Sequence, residues 1–176
     1  MVRLDHEVGN GAGNGGAVLK NRSEVEQVLP HSGQMVLLDR VIDYDESSVV
    51  SEVDVDSLTL FMTPSGLPAY VGIEVMAQSI AAWSGLIRRT KNQSPKPGFL
   101  LGTRKYECQL PYFPKGSTLR VHAAEIINNE GLATFACRLQ YGGNSMSQCS
   151  RDLLAEARIS VFSGRSGFNP IKMKQK

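Results

Sequence analysis

Tyr70–Arg89, YVGIEVMAQSIAAWSGLIRR, contains no proline and is rich in Ala, Ile, Val and Met. It can run as a helix of about five turns. Its apolar residues Val71, Ile73, Val75, Met76, Ile80, Trp83, Leu86 and Ile87 fall on nearly every side of that helix. A surface helix carries one apolar stripe, whereas a helix apolar all round is enclosed by the rest of the fold. Glu74 stands in the first turn, and Gln78, four residues on, shares its face. A carboxylate there either favours the positive helix end or does acid–base chemistry, and its apolar surroundings point to the second.

Beyond this helix the pattern changes from helical to alternating. The polar, Pro-rich loop Lys91–Gly98 is followed by four strand-like runs, at 99–108, 117–127, 132–141 and 152–162. In the third, Ala133, Phe135, Cys137, Leu139 and Tyr141 oppose Thr134, Arg138 and Gln140; in the fourth, Leu153, Ala155, Ala157, Ile159 and Val161 oppose Glu156, Arg158 and Ser160. A period of two marks a sheet with one face buried. NNEG at 128–131 and GGNS at 142–145 are hairpin turns. Ahead of the helix, Val49–Val55 alternates after a DESS turn, Met35–Asp43 is a mostly apolar run, and TPSGLP at 63–68 is a loop. RSEVEQVL at 22–29 predicts a short helix with Ser23 and Glu26 as a capping box and Pro30 as its stop. One long apolar helix and about six one-sided antiparallel strands bury their apolar surface together when a curved sheet wraps the helix, an α+β layout.

Length and composition bound the function. The 176 residues, 41% of them hydrophobic, suffice for one domain, expected at 23–163 between a Gly/Asn-rich arm (1–22) and a polar tail (164–176). A net charge of +2 does not point to nucleic acid. Cys108, Cys137 and Cys149 are odd in number, with no CxxC or Cys/His metal spacing. Free thiols in a reducing cytoplasm, with no metal or other cofactor, are therefore expected. The apolar core of a signal peptide is missing from MVRLDHEV, and no run spans a membrane, so the expected protein is soluble and cytoplasmic. Gly11, Gly13 and Gly16 satisfy GxGxxG, but without a preceding buried strand or a βαβ pattern the match carries no nucleotide site. Ser65-Gly66 lacks the context of a serine-hydrolase elbow.

Three segments carry a family resemblance. VLPHSGQMVLLDRV (28–41) resembles the opening of the β-hydroxyacyl-acyl-carrier-protein dehydratases, GIEVMAQ (72–78) is similar to their helix signature, and GTRKYECQLPYFPKG (102–116) resembles their strand–turn segment. The closest likeness, through GLPAYVGIEVMAQSIAAWSG, GFLLGTRKYE and LLAEARISVF, is to the dehydratase-like branch of bacterial aryl-polyene clusters. The resemblance implies the hotdog fold, an acyl-carrier-protein partner bearing a phosphopantetheine thioester, and a dimer. The family's Gly-His-Phe-Pro-Gly motif is replaced by LFMTPSGLPAYVGIE, which contains no His.

Dehydration of a 3-hydroxyacyl thioester needs a base at C2, an acid for the leaving hydroxyl and a donor to the thioester carbonyl. By resemblance, Glu74 is the acid, Gln78 orients it, and the backbone N–H of Gly72 is the carbonyl donor. His31 is the one motif-backed candidate base; otherwise it holds the LPH turn, and a His-bearing hotdog partner in a heterodimer supplies the base. His122 falls on a face expected to be solvated, and His6 lies in the arm. Arg88, Arg89, Lys91 and Arg104 are the expected contacts to an acidic carrier protein. A thioesterase in which Glu74 activates water, and a non-catalytic partner of an active dehydratase, are the alternatives. Homodimer and heterodimer both stay open.

Overall fold

The computed structural model describes residues 19–94, 98–142 and 153–163. The arm to residue 18, with His6 and the GxGxxG match, lies outside the described residues. So do Cys149, the turn beyond Gly142 and the tail 164–176. The strands are β1 (Arg40–Tyr44), β2 (Ser48–Asp54), β3 (Leu67–Pro68), β4 (Phe99–Cys108), β5 (Tyr112–Phe113), β6 (Thr118–Asn129), β7 (Leu132–Tyr141) and β8 (Leu153–Phe162). The helices are α1 (Arg22–Glu26) and α2 (Val71–Thr90). Six strands form one antiparallel sheet in the order β1-β2-β6-β7-β8-β4.

The expected long helix is α2, and it lies across β2, β6 and β7. Alternation sends Val49, Ser51 and Val53 of β2, Leu119, Val121 and Ala123 of β6, and Phe135, Cys137 and Leu139 of β7 into the core. Trp83 of α2 meets Phe135 edge-on at 5.4 Å and donates to the Asp45 carbonyl at 2.9 Å. That bond ties α2 to the β1–β2 turn. The helix is not enclosed all round: Ile73, Ala77, Ala81, Ser84 and Ile87 form a half-buried flank. The β6–β7 turn is Glu130-Gly131, with φ of 51° and 92°. Two left-handed residues suit a tight hairpin, and Gly131 is also needed because a Cβ there would lie 2.5 Å from the Ser163 carbonyl oxygen.

Local corrections follow from side-chain partners. The cap of α1 is Asn21, whose side chain accepts from the Glu24 N–H at 3.0 Å, while Glu24 takes the Lys20 N–H at 2.9 Å. Ser23 and Glu26 therefore do not form the expected box. Glu26 instead accepts from the Gly33 N–H at 3.0 Å and fixes the turn after Pro30. Leu19, assigned by sequence to the arm, is buried and bridges Val41. The apolar run from Met35 is a turn followed by a strand: residues 33–35 form a 3₁₀ turn and β1 begins at Arg40. Gly85 lets residues 27–30 lie against α2, since a Cβ there would stand 2.0 Å from the Val28 carbonyl oxygen.

On the sheet's outer face Glu52 joins three strands. Its carboxylate meets Arg40 of β1 at 2.8 Å and Arg120 of β6 at 2.6 Å, and Arg40 reaches on to Asp54 at 3.0 Å. The hydrogen bond from Arg40, with help from Thr118, holds the Asp54 carboxyl below the usual range against its partial burial. The same bond holds the Arg40 guanidinium firmly charged. At the opposite edge β4 is bare among the described residues, with Phe99, Leu100 and Leu101 39%, 45% and 59% exposed. An apolar, unpaired edge strand of this length calls for a partner.

Candidate active site

Glu74 occupies the first turn of α2. Its position is set by Gln78, which is fully buried. The Gln78 Oε1 accepts from the Leu37 N–H at 2.8 Å, and its Nε2 donates to the Met35 carbonyl at 2.8 Å and to Glu74 Oε1 at 3.0 Å. This orientation of the amide is the one that satisfies all three partners. One buried side chain thus clamps the carboxylate to the LPH–DRV segment.

That segment brings His31 to the same place. His31 Nε2 lies 3.7 Å from Glu74 Oε1, with the two side chains 31% and 38% exposed. Its Nδ1 is buried and has no hydrogen-bond partner among the described residues. The separation is beyond a direct hydrogen bond but leaves room for a substrate proton or a water. The pair opens into a cleft of about 700 Å³, counted to its solvent mouth. Pro30 and His31 close one end, Ala77, Ile80, Ala81 and Ser84 of α2 form one wall, and the strand ends Gly98–Leu100 and Val161–Ser163 form the other. From Glu74 to Ser84 the helix covers ~15 Å. Small side chains on the half-buried flank of α2 make the cleft possible.

The expected carbonyl donor is differently engaged. The Gly72 N–H donates to the Ala69 carbonyl at 3.0 Å. The Tyr106 hydroxyl donates to that same carbonyl and fills the space above Gly72, 2.7 Å from where a Cβ would sit. Tyr106 gets there through a bulge in the β4–β8 ladder between Arg104 and Glu107, with Lys105 at a left-handed φ of 59°. Burial pushes the Tyr106 phenol well above its ordinary value, so it stays a donor. Sequence reasoning missed Tyr106, because no residue pattern announces a non-glycine bulge.

Arg88, Arg89 and Lys91 gather at the C-terminal end of α2, one turn past Ser84, where Arg88 Nε donates to the Ser94 carbonyl at 2.7 Å. Arg104 is not with them. It lies on β4 opposite Arg158, roughly 17 Å along the strand from Phe99. His122 is on the outer face between Arg120 and Arg138; partial burial, then those two guanidiniums, lower its pKa. Burial pushes the Cys137 thiol up to about 12, and Cys108 donates to the Leu110 carbonyl at 3.2 Å. Neither thiol is poised as a nucleophile. No helix among the described residues is long and apolar enough to cross a membrane.

A sheet folded about one long helix, with a carboxylate in that helix's first turn facing an apolar cleft, defines a hotdog-fold protein. Within that class, a family model for the ApeP-like dehydratases matches residues 23–172, and the chain belongs to that family. The dehydratase heterocomplex ApeI:P from Xenorhabdus doucetiae is similar at 30% identity and a TM-score of 0.76, over 86% of this chain and 97% of that one. The PaaI protein of the Escherichia coli phenylacetic acid degradation operon shares the fold at 12% identity and a TM-score of 0.51, over 69% and 80% of the two chains. Streptococcus mutans smu.793, solved with acetyl CoA, does so at 10% identity and 0.52, over 70% and 86%. Comparison with curated proteins gives no match.

Proposed function

We propose that this chain dehydrates 3-hydroxyacyl thioesters carried on an acyl carrier protein, as one subunit of a hotdog dimer. The meeting of His31 and Glu74 at 3.7 Å in one apolar cleft is the observation that carries the reading. With the thioester arm along Ser84, Ala81 and Ala77, C2 faces His31 and the C3 hydroxyl faces Glu74. His31 takes the C2 proton, the C2–H electron pair forms the C2=C3 bond, and the C3–O bond breaks as Glu74 protonates the departing hydroxyl. Water leaves, and the proton on His31 returns to Glu74 across the short gap between them. The step is redox-neutral and needs no cofactor. Gln78 is a positioning residue that keeps the carboxylate turned towards the cleft.

The partner is a second hotdog subunit. Support comes from the bare apolar edge of β4 and from the heterocomplex in which the similar ApeI:P structure was solved. Arg88, Arg89 and Lys91, beside the Ser84 end of the cleft, add positive potential that draws an acidic carrier towards the cleft mouth without being the surface it seats on. The test is mass spectrometry of a 3-hydroxyacyl carrier protein incubated with the chain alone and with its hotdog partner. Loss of water supports the proposal, whereas free acid would make the protein a thioesterase. Activity that needs the partner and survives loss of both His31 and Glu74 would leave this chain a non-catalytic subunit.

A further inference from the structure

We infer that Arg104, Arg138 and Arg158, together with the apolar strand ends beside them, form the docking surface for the acidic face of the carrier protein. The identity of that partner rests on the function proposed above. Arg104 of β4 stands directly opposite Arg158 of β8, and both point away from the core. Arg138 lies on the same face of β7, diagonal to Arg158 and between buried Cys137 and Leu139. Like charges placed opposite one another destabilise a sheet, so such a pair is retained against the fold's own interest unless an outside anion completes it. Among the described residues none of the three has an ion-pair partner. Glu156, opposite Arg138, makes no ion pair there either, and Glu107 is drawn to Lys105 at 4.0 Å.

Towards the strand ends this face turns apolar. Ile127, Leu132 and Phe99 are 61%, 47% and 39% exposed. Leu132 and Phe99 flank Phe162, which with Phe99 also lines the cleft rim. Only ~13 Å of β8 separates Arg158 from that rim. A partner seated on the arginines is therefore placed to pass a thioester arm over Phe99 and Phe162 towards Glu74. Arginines suit paired carboxylates through two parallel hydrogen bonds, and apolar neighbours suit the exposed side chains of an acidic helix. A flat anionic membrane fits less well, because the chain's net charge is only +2.

The test compares wild type with an Arg138→Glu/Arg158→Glu variant, each as the full chain with its hotdog partner. Fluorescence anisotropy with labelled holo-acyl carrier protein gives the affinity, and thermal unfolding gives the stability. The expected affinity loss is about tenfold or more at low salt and shrinks as salt rises. The melting temperature stays about level, because the opposite charge that Arg158→Glu sets across from Arg104 offsets the like charge that Arg138→Glu sets across from Glu156. A merely structural role would move stability and affinity in the same direction. Unchanged affinity in the variant, with loss confined to Arg88→Glu/Arg89→Glu, would overturn the inference. So would wild-type binding to phosphatidylglycerol vesicles without binding to the carrier. If the carrier binds through these arginines but no water is lost from its acyl group, the docking surface stands and the proposed reaction falls.

Discussion

Replacing Gln78 with Glu perturbs the site by a single atom and gives a signed pH response. In the protein Gln78 Nε2 donates to Glu74 Oε1 at 3.0 Å and to the Met35 carbonyl at 2.8 Å. A carboxylate keeps the acceptor for Leu37 but turns both donations into oxygen–oxygen repulsions, of which protonation of the new carboxyl relieves one. Two charges 3 Å apart repel by roughly 5 kcal/mol at an effective dielectric constant of 20. Solvent at the half-exposed Glu74 reduces this, so a net cost of about 2–4 kcal/mol at neutral pH is expected. The new carboxyl keeps its proton to higher pH in the folded chain than in the unfolded one. The charge part of its penalty is therefore absent below the unfolded value, about 4.3, and grows as pH rises towards the folded value. Urea unfolding of wild type and Gln78→Glu from pH 4 to 8 measures the difference. A small difference in acid that widens as pH rises matches the geometry; an offset that is the same at every pH would refute the clamp.

Other perturbations are simpler. Gly85→Ala drives a methyl into the Val28 carbonyl oxygen, 2.0 Å away, and should cost about 1–3 kcal/mol in chemical unfolding. Glu52→Ala leaves Arg40 and Arg120 without the carboxylate that joins β1, β2 and β6, and should cost about 3 kcal/mol by the same measurement. Asp54→Asn removes a carboxyl whose pKa Arg40 depresses. That group's contribution is present above the unfolded value near 3.8 and is lost as pH falls through the lower folded value. The variant should be less stable at neutral pH and match wild type in strong acid, seen as a flatter acid limb in thermal unfolding.

The parts of the fold legible in the sequence are those with a sustained period. The residues of β7 match their expected run end for end, and α2 is shifted by one residue, because ten or more positions repeat one signal. The two-residue strands β3 and β5 carry no period and were unreadable. The α1 cap was misplaced because Asn21-x-x-Glu24 and Ser23-x-x-Glu26 offer overlapping boxes, and only tertiary contacts choose between them. The site was legible in its residue types. Its geometry was not: the meeting of His31 with Glu74 depends on Gln78 gripping the backbone at Met35 and Leu37, more than forty residues away in sequence. Arg104 could not be separated from the helix-end cations without the strand register that sets it against Arg158.

The central claim, that His31 and Glu74 of this chain together perform the elimination, is tested most directly by one mass-spectrometric comparison. Wild type, Glu74→Gln and His31→Ala, each with the hotdog partner, are given the same 3-hydroxyacyl carrier protein, and loss of water from the acyl group is followed in time. Removal of an acid or a base from such a site should slow the reaction about 10²–10⁴-fold. The account predicts that fall for both variants. Full activity in Glu74→Gln, or water loss that proceeds unchanged in His31→Ala, would contradict it.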